Sequence, residues 1–129
     1  MNQKDVVTTI KNFIEKKFPR ECTCCGKRYN SLADYVRNTT RQGKMTSYGA
    51  EQVTPNPKKP LGALAMANCS CGSTMALSSD GMDSETLWKL ADWVLKEREG
   101  RGTAIEDVLE EVRQHIIKEV LPGNFHKAH

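Results

Sequence analysis

At 129 residues the chain has the length of one ordinary domain, and its 38% hydrophobic content supports a modest core. The net charge of +3 is unevenly spread: residues 1–82 carry 12 Lys/Arg against 6 Asp/Glu, and residues 83–129 carry 7 against 10. No apolar run is long enough to span a bilayer, and the N-terminus "MNQKDVVTTIKNFIEKK" lacks the apolar core of a signal peptide, so the expected location is the cytoplasm.

In chain order, Val6, Val7, Ile10, Phe13, Ile14 and Phe18 recur at helical spacing and predict an amphipathic helix over 4–18. Pro19 disfavours helical geometry at Phe18 and ends it. "NSLADYVRNTTRQG" predicts a short helix over 32–41, with Ser31 and Asp34 resembling a capping box and Gly43 just past the end. "KMTSYGAEQVTPNPKKPLG", with three prolines, reads as a long loop. Its first reading is a tether. As a partner-binding loop it would present Tyr48, Lys58 and Lys59. "LGALAMANCSCGSTMALSS" predicts two short strands around a tight turn.

Two helices follow. The first starts at Asp83 or Ser84 and runs to about Glu99. The second starts at a Thr103–Glu106 capping box and reaches Leu121. The "GRG" link at 100–102 makes them a helical hairpin over 83–121. Trp88 falls in the apolar arc of the first, with Leu87, Leu90, Ala91, Val94 and Leu95. Trp93 lies well off that arc. Either the N-terminal helix covers Trp93, the preferred reading, or it is exposed as a partner-binding residue. The whole reads as a single α+β domain over 1–123 with a flexible tail at 124–129.

Five cysteines in a cytoplasmic chain, an odd number, argue against a disulfide framework and for metal or redox chemistry. Four of them form two pairs, Cys22-x-x-Cys25-Gly26 and Cys69-x-Cys71-Gly72. Each pair sits at the tip of a tight turn. A glycine after the second cysteine permits a left-handed backbone, which aims backbone N–H groups at the sulfurs. Two such turns supply four soft ligands, suited to tetrahedral zinc or to iron–sulfur chemistry. Four thiolates and one divalent ion would lower the charge of the front half to about +4.

"CTCCGKRY" resembles the C-x2-C-G-x-x-Y turn of zinc-ribbon and rubredoxin-like knuckle proteins, and "CSCG" stands where their second knuckle would. The resemblance spans about a dozen residues. It implies a four-cysteine metal site carried by Cys22, Cys25, Cys69 and Cys71, in a small zinc-ribbon-like β-hairpin centre. The N-terminal helix, the short inserted helix and the helical hairpin would pack around it. The second turn departs from the pattern, with one residue between its cysteines, and a helix and long loop separate the knuckles.

Cys24 is the surplus thiol, idle or a candidate redox group beside Lys27 and Arg28. His126 and His129 have metal-like spacing, but a tail is a weak place for ligands. No nucleophile–base constellation or phosphate-binding glycine loop is present. The expected function is therefore a non-enzymatic zinc-binding adaptor or regulator with a protein partner. The alternatives are a redox or oxygen sensor using iron, an iron–sulfur cluster or Cys24, and nucleic-acid binding by the basic residues around the first knuckle.

Overall fold

Asn2 starts the first helix of the computed structural model, which describes residues 1–48 and 62–121. The Asn2 side chain accepts the Asp5 N–H at 2.8 Å, and the Asp5 carboxylate accepts the Asn2 N–H at 3.3 Å. This reciprocal cap satisfies amides that a helix end otherwise leaves open. Helix α1 (Gln3–Glu15) ends earlier than Phe18. Lys17, just past it, donates its ammonium to the carbonyls of Ser78 (2.9 Å) and Asp80 (3.1 Å), over the Phe13 ring. Burial, with Arg20 nearby, lowers the Lys17 pKa against the opposing pull of Asp80.

Strands β1 (Arg20–Glu21) and β2 (Arg28–Tyr29) form a small antiparallel hairpin. Ser31 caps helix α2 (Leu32–Asn38), as its sequence suggests, with its hydroxyl accepting the Asp34 N–H at 3.1 Å. The predicted helix over 32–41 stops short. Thr39 is extended, and its buried hydroxyl donates to the Tyr35 carbonyl at 2.6 Å.

Strand β3 (Thr40–Tyr48) occupies residues assigned above to the helix end and the long loop. Polar residues make up most of this strand, so neither period nor propensity marks it. Gly43 does not end a helix. It has φ +70° within a register irregularity between Gln42 and Thr46. Strand β4 (Gly62–Asn68) pairs antiparallel with both β3 and β5 (Thr74–Ser78), in the order β3-β4-β5. The predicted strands around the second cysteine turn are therefore present. Lys58, Lys59, His126 and His129 lie outside the described residues, as does the Tyr48 side chain.

Helix α3 (Ser84–Arg101) is capped by Asp83, whose carboxylate accepts the Thr86 N–H at 2.9 Å. Gly102, left-handed at φ +66°, ends it. Helix α4 (Ile105–Val120) follows. Its N-cap is Ala104, without a side-chain cap, so the Thr103–Glu106 capping box does not form. Glu106 and Asp107 in its first turn still complement the helix dipole.

Helix α4 organises the core, packing against α1, α2, α3 and β3. Val108, Leu109, Val112 and Ile116 are buried along one face. Among the described residues the architecture is α+β, four helices with two small antiparallel sheets, and no helix is long and apolar enough to cross a membrane.

Trp88, placed above in the apolar arc, is the tryptophan whose expectation is corrected, while Trp93 is buried, as the preferred reading has it. Trp93 is only 8% exposed, whereas Trp88 is 37% exposed. The buried face of α3 comprises Leu90, Ala91, Trp93 and Val94, a roll of roughly 60° from the predicted arc at 100° per residue. Trp93 lines the floor of a groove with Lys4, Asp5, Thr8 and Thr9 of α1. It is thus a packing residue, and Trp88 is the tryptophan that solvent reaches.

Glu110 joins α4 to β3. Its carboxylate pairs with Arg41, lies 3.9 Å from Arg113, and accepts the Gln114 amide at 2.9 Å. Arg113 also donates to the Gly43 carbonyl at 3.2 Å. Glu110→Ala would leave two half-buried guanidiniums facing each other. The expected loss is about 1–3 kcal/mol, read from the urea midpoint.

Candidate metal centre

The two cysteine turns have the same local build. In the first, the Cys22 N–H donates to Lys27 O at 2.9 Å and the Gly26 N–H returns to Cys22 O at 2.9 Å. In the second, the Cys69 N–H donates to Ser73 O at 2.9 Å and the Gly72 N–H returns to Cys69 O at 2.8 Å. Gly26 has φ +77° and Gly72 φ +93°. A Cβ on either would meet nothing within 4 Å, so conformation rather than space calls for glycine there.

This backbone aims N–H groups at sulfur. The amides of Cys25 and Cys24 donate to Cys22, that of Lys27 to Cys25, and that of Cys71 to Cys69. Such bonds stabilise thiolate charge.

The two hairpin tips face each other. The Sγ atoms of Cys22, Cys25, Cys69 and Cys71 all lie within 4.8 Å of one another. Cys22 and Cys71 approach to 3.7 Å, and Cys25 and Cys69 to 3.6 Å. Disulfide sulfurs sit at about 2.05 Å, so these are free thiols. Four sulfurs about 2.3 Å from a tetrahedral zinc would lie about 3.8 Å apart. The spacing and the all-thiol donor set therefore fit a soft metal ion.

In each turn the first cysteine is buried (Cys22 2%, Cys69 3% exposed) and the second, Cys25 or Cys71, is exposed. The single-residue spacing of the second turn does not keep Cys71 from the cluster. Cys24 is exposed and outside it.

Two hydroxyls complete the surroundings. Tyr29 donates to Cys69 Sγ at 3.0 Å. Ser73 Oγ lies 3.0 Å from both Cys22 Sγ and Cys71 Sγ. Neither role was read from the sequence. The only hints were positional: Tyr29 ends the "CTCCGKRY" stretch, and Ser73 follows the second Cys-Gly. Tyr29 also meets Tyr35 edge-on at 5.6 Å, with the Lys27 ammonium 5.4 Å from its ring centre.

The basic residues around the first knuckle are partly engaged elsewhere. Lys17 is held by carbonyls and Arg41 by Glu110, while Lys16, Lys27, Arg28 and Arg37 remain exposed.

The thiols titrate as a group. The Ser73 hydroxyl, with the amides of Cys25 and Cys24, holds Cys22 down to about 6. The Lys27 amide pulls Cys25 down, but bonding to Cys69, burial and the other two thiols outweigh it and push Cys25 up to about 12. In the metal-free protein the Cys22 contribution to stability is present above the ordinary thiol value of 9.0 and is lost as pH falls through about 6. The Cys25 contribution is present below 9.0 and lost as pH rises through about 12. The melting temperature of metal-free protein should therefore rise between pH 6 and 9. Metal must displace the Cys25 proton, so loading should release acid and weaken toward pH 6. A pH-indicator titration with Co(II) reads both effects.

Compared with protein-family models, with curated proteins and with solved structures, the chain finds no match.

Proposed function

We propose that this chain is a non-enzymatic zinc-binding adaptor or regulator, in which a structural four-cysteine site holds a protein-interaction domain. The observation that carries the reading is the convergence of four thiols from two separate hairpins within 4.8 Å. A four-thiolate shell leaves a bound ion no vacant position, which suits structure rather than hydrolysis. Thiols of this kind stay reduced in the cytoplasm, the compartment proposed for it. Contact with a protein partner falls to exposed apolar groups, of which Trp88 on α3 is the largest among the described residues.

The test is anaerobic purification of untagged protein, elemental analysis, and cross-linking from a photoreactive group at the neighbouring exposed position Lys89. One zinc per chain, colourless protein and a cross-linked partner lost in Trp88→Ala support the reading. Turnover of a small substrate, or no specific cross-link, overturns it.

The exposure of Cys24 beside the cluster favours a second reading, a redox or oxygen sensor. Coloured protein that air bleaches would support its iron form. A Cys24→Ser variant with an unchanged oxidation response removes its thiol form.

A further inference from the structure

We propose that the hydroxyls of Tyr29 and Ser73 are reciprocal positioning groups for the metal site, each holding the buried cysteine of the opposite hairpin. The inference rests on the metal-binding reading above. Tyr29 stands on the first hairpin and bonds Cys69 on the second, 3.0 Å away. Ser73 stands on the second, with its hydroxyl oxygen 3.0 Å from Cys22 on the first and also 3.0 Å from Cys71 on its own hairpin. The two bonds therefore cross between the hairpins in opposite directions. They fix the separation of the two buried sulfurs.

The direction of the Tyr29 bond is set by its surroundings. The Ser70 amide donates to the Tyr29 oxygen, which leaves the phenolic hydrogen for Cys69. Tyr29 is fully buried, so no water competes for it. Tyr35 supplies the contrast. It is in the same aromatic cluster and 4% exposed, yet among the described residues its hydroxyl has no hydrogen-bond partner. Packing alone thus places a tyrosine in this core without pairing its hydroxyl. The Tyr29 hydroxyl, in contrast, is paired, accepting from the Ser70 amide and donating to the Cys69 sulfur.

An O–H donor favours the thiolate that a metal requires and orients it. It also withdraws charge from sulfur, which raises the energy of sulfur-to-metal charge transfer. Removing the donor should shift that absorption to longer wavelength.

The experiment is an anaerobic Co(II) titration with chelator competition on the full chain, on Tyr29→Phe, on Ser73→Ala, and on Tyr35→Phe as control. Each hydroxyl deletion should weaken binding about 10- to 100-fold and move the charge-transfer band to longer wavelength. Tyr35→Phe should change neither. If Tyr29→Phe and Ser73→Ala bind as tightly as the parent with unmoved bands, the inference is wrong while the metal reading stands. Weaker binding with unmoved bands marks a merely structural role and also overturns it. A parent chain that gives no charge-transfer band removes the metal reading itself.

Discussion

Replacing Cys22 with serine is expected to abolish metal retention and to lower the melting temperature to that of metal-free protein. Cys22 is 2% exposed and receives the Ser73 hydroxyl and the amides of Cys25 and Cys24. Serine offers a shorter, harder oxygen that stays protonated at neutral pH. The donors aimed at the sulfur would lose a thiolate to hold. Structural zinc contributes about 10–16 kcal/mol in small zinc-dependent folds, comparable to the whole stability of a typical domain at about 5–15 kcal/mol. Losing it should separate the two hairpins, which belong to different small sheets. Metal-to-protein ratio and thermal melting check this. The variant should retain under a tenth of the parent's metal on the same ratio measurement, roughly a tenfold loss. It should also melt like parent protein treated with a chelator. Cys24→Ser, outside the cluster, should match the parent in both measurements.

The second large effect separates the two tryptophans. Trp93→Ala should cost about 3–5 kcal/mol, because it empties a buried position on the α3 face that meets the core. Trp88→Ala should cost under about 1 kcal/mol, since much of that ring already meets water. For a chain of this size the first loss corresponds to roughly 10–20 °C in melting temperature. Equal losses from both variants, or a larger loss from Trp88→Ala, would contradict the roll of α3.

That roll shows where sequence pattern stops. A helical wheel places residues on a helix but not the helix against its neighbours. Both tryptophans therefore had definite angles, and only docking decided which was buried. Strand β3 was hidden for a different reason. Its polar residues carry no period-2 signal, and Thr39 and Gly43 fitted a helix end as well as they fit a strand entry and a register irregularity. The cysteine turns were legible because their chemistry is local. Cys-Gly specifies the left-handed residue within each turn, so the pairs 22/25 and 69/71 could be read without tertiary information. Tyr29 and Ser73 were not legible in the same way. Each acts between two hairpins on a residue 40 or more positions away, a relation that no local spacing encodes.

The central claim is that Cys22, Cys25, Cys69 and Cys71 together hold one metal ion. X-ray absorption at the metal edge of anaerobically purified protein tests it most directly. The expected result is one ion per chain with a first shell of four sulfurs, at about 2.3 Å if the ion is zinc. A substoichiometric ion, or a first shell containing nitrogen or oxygen, would contradict it.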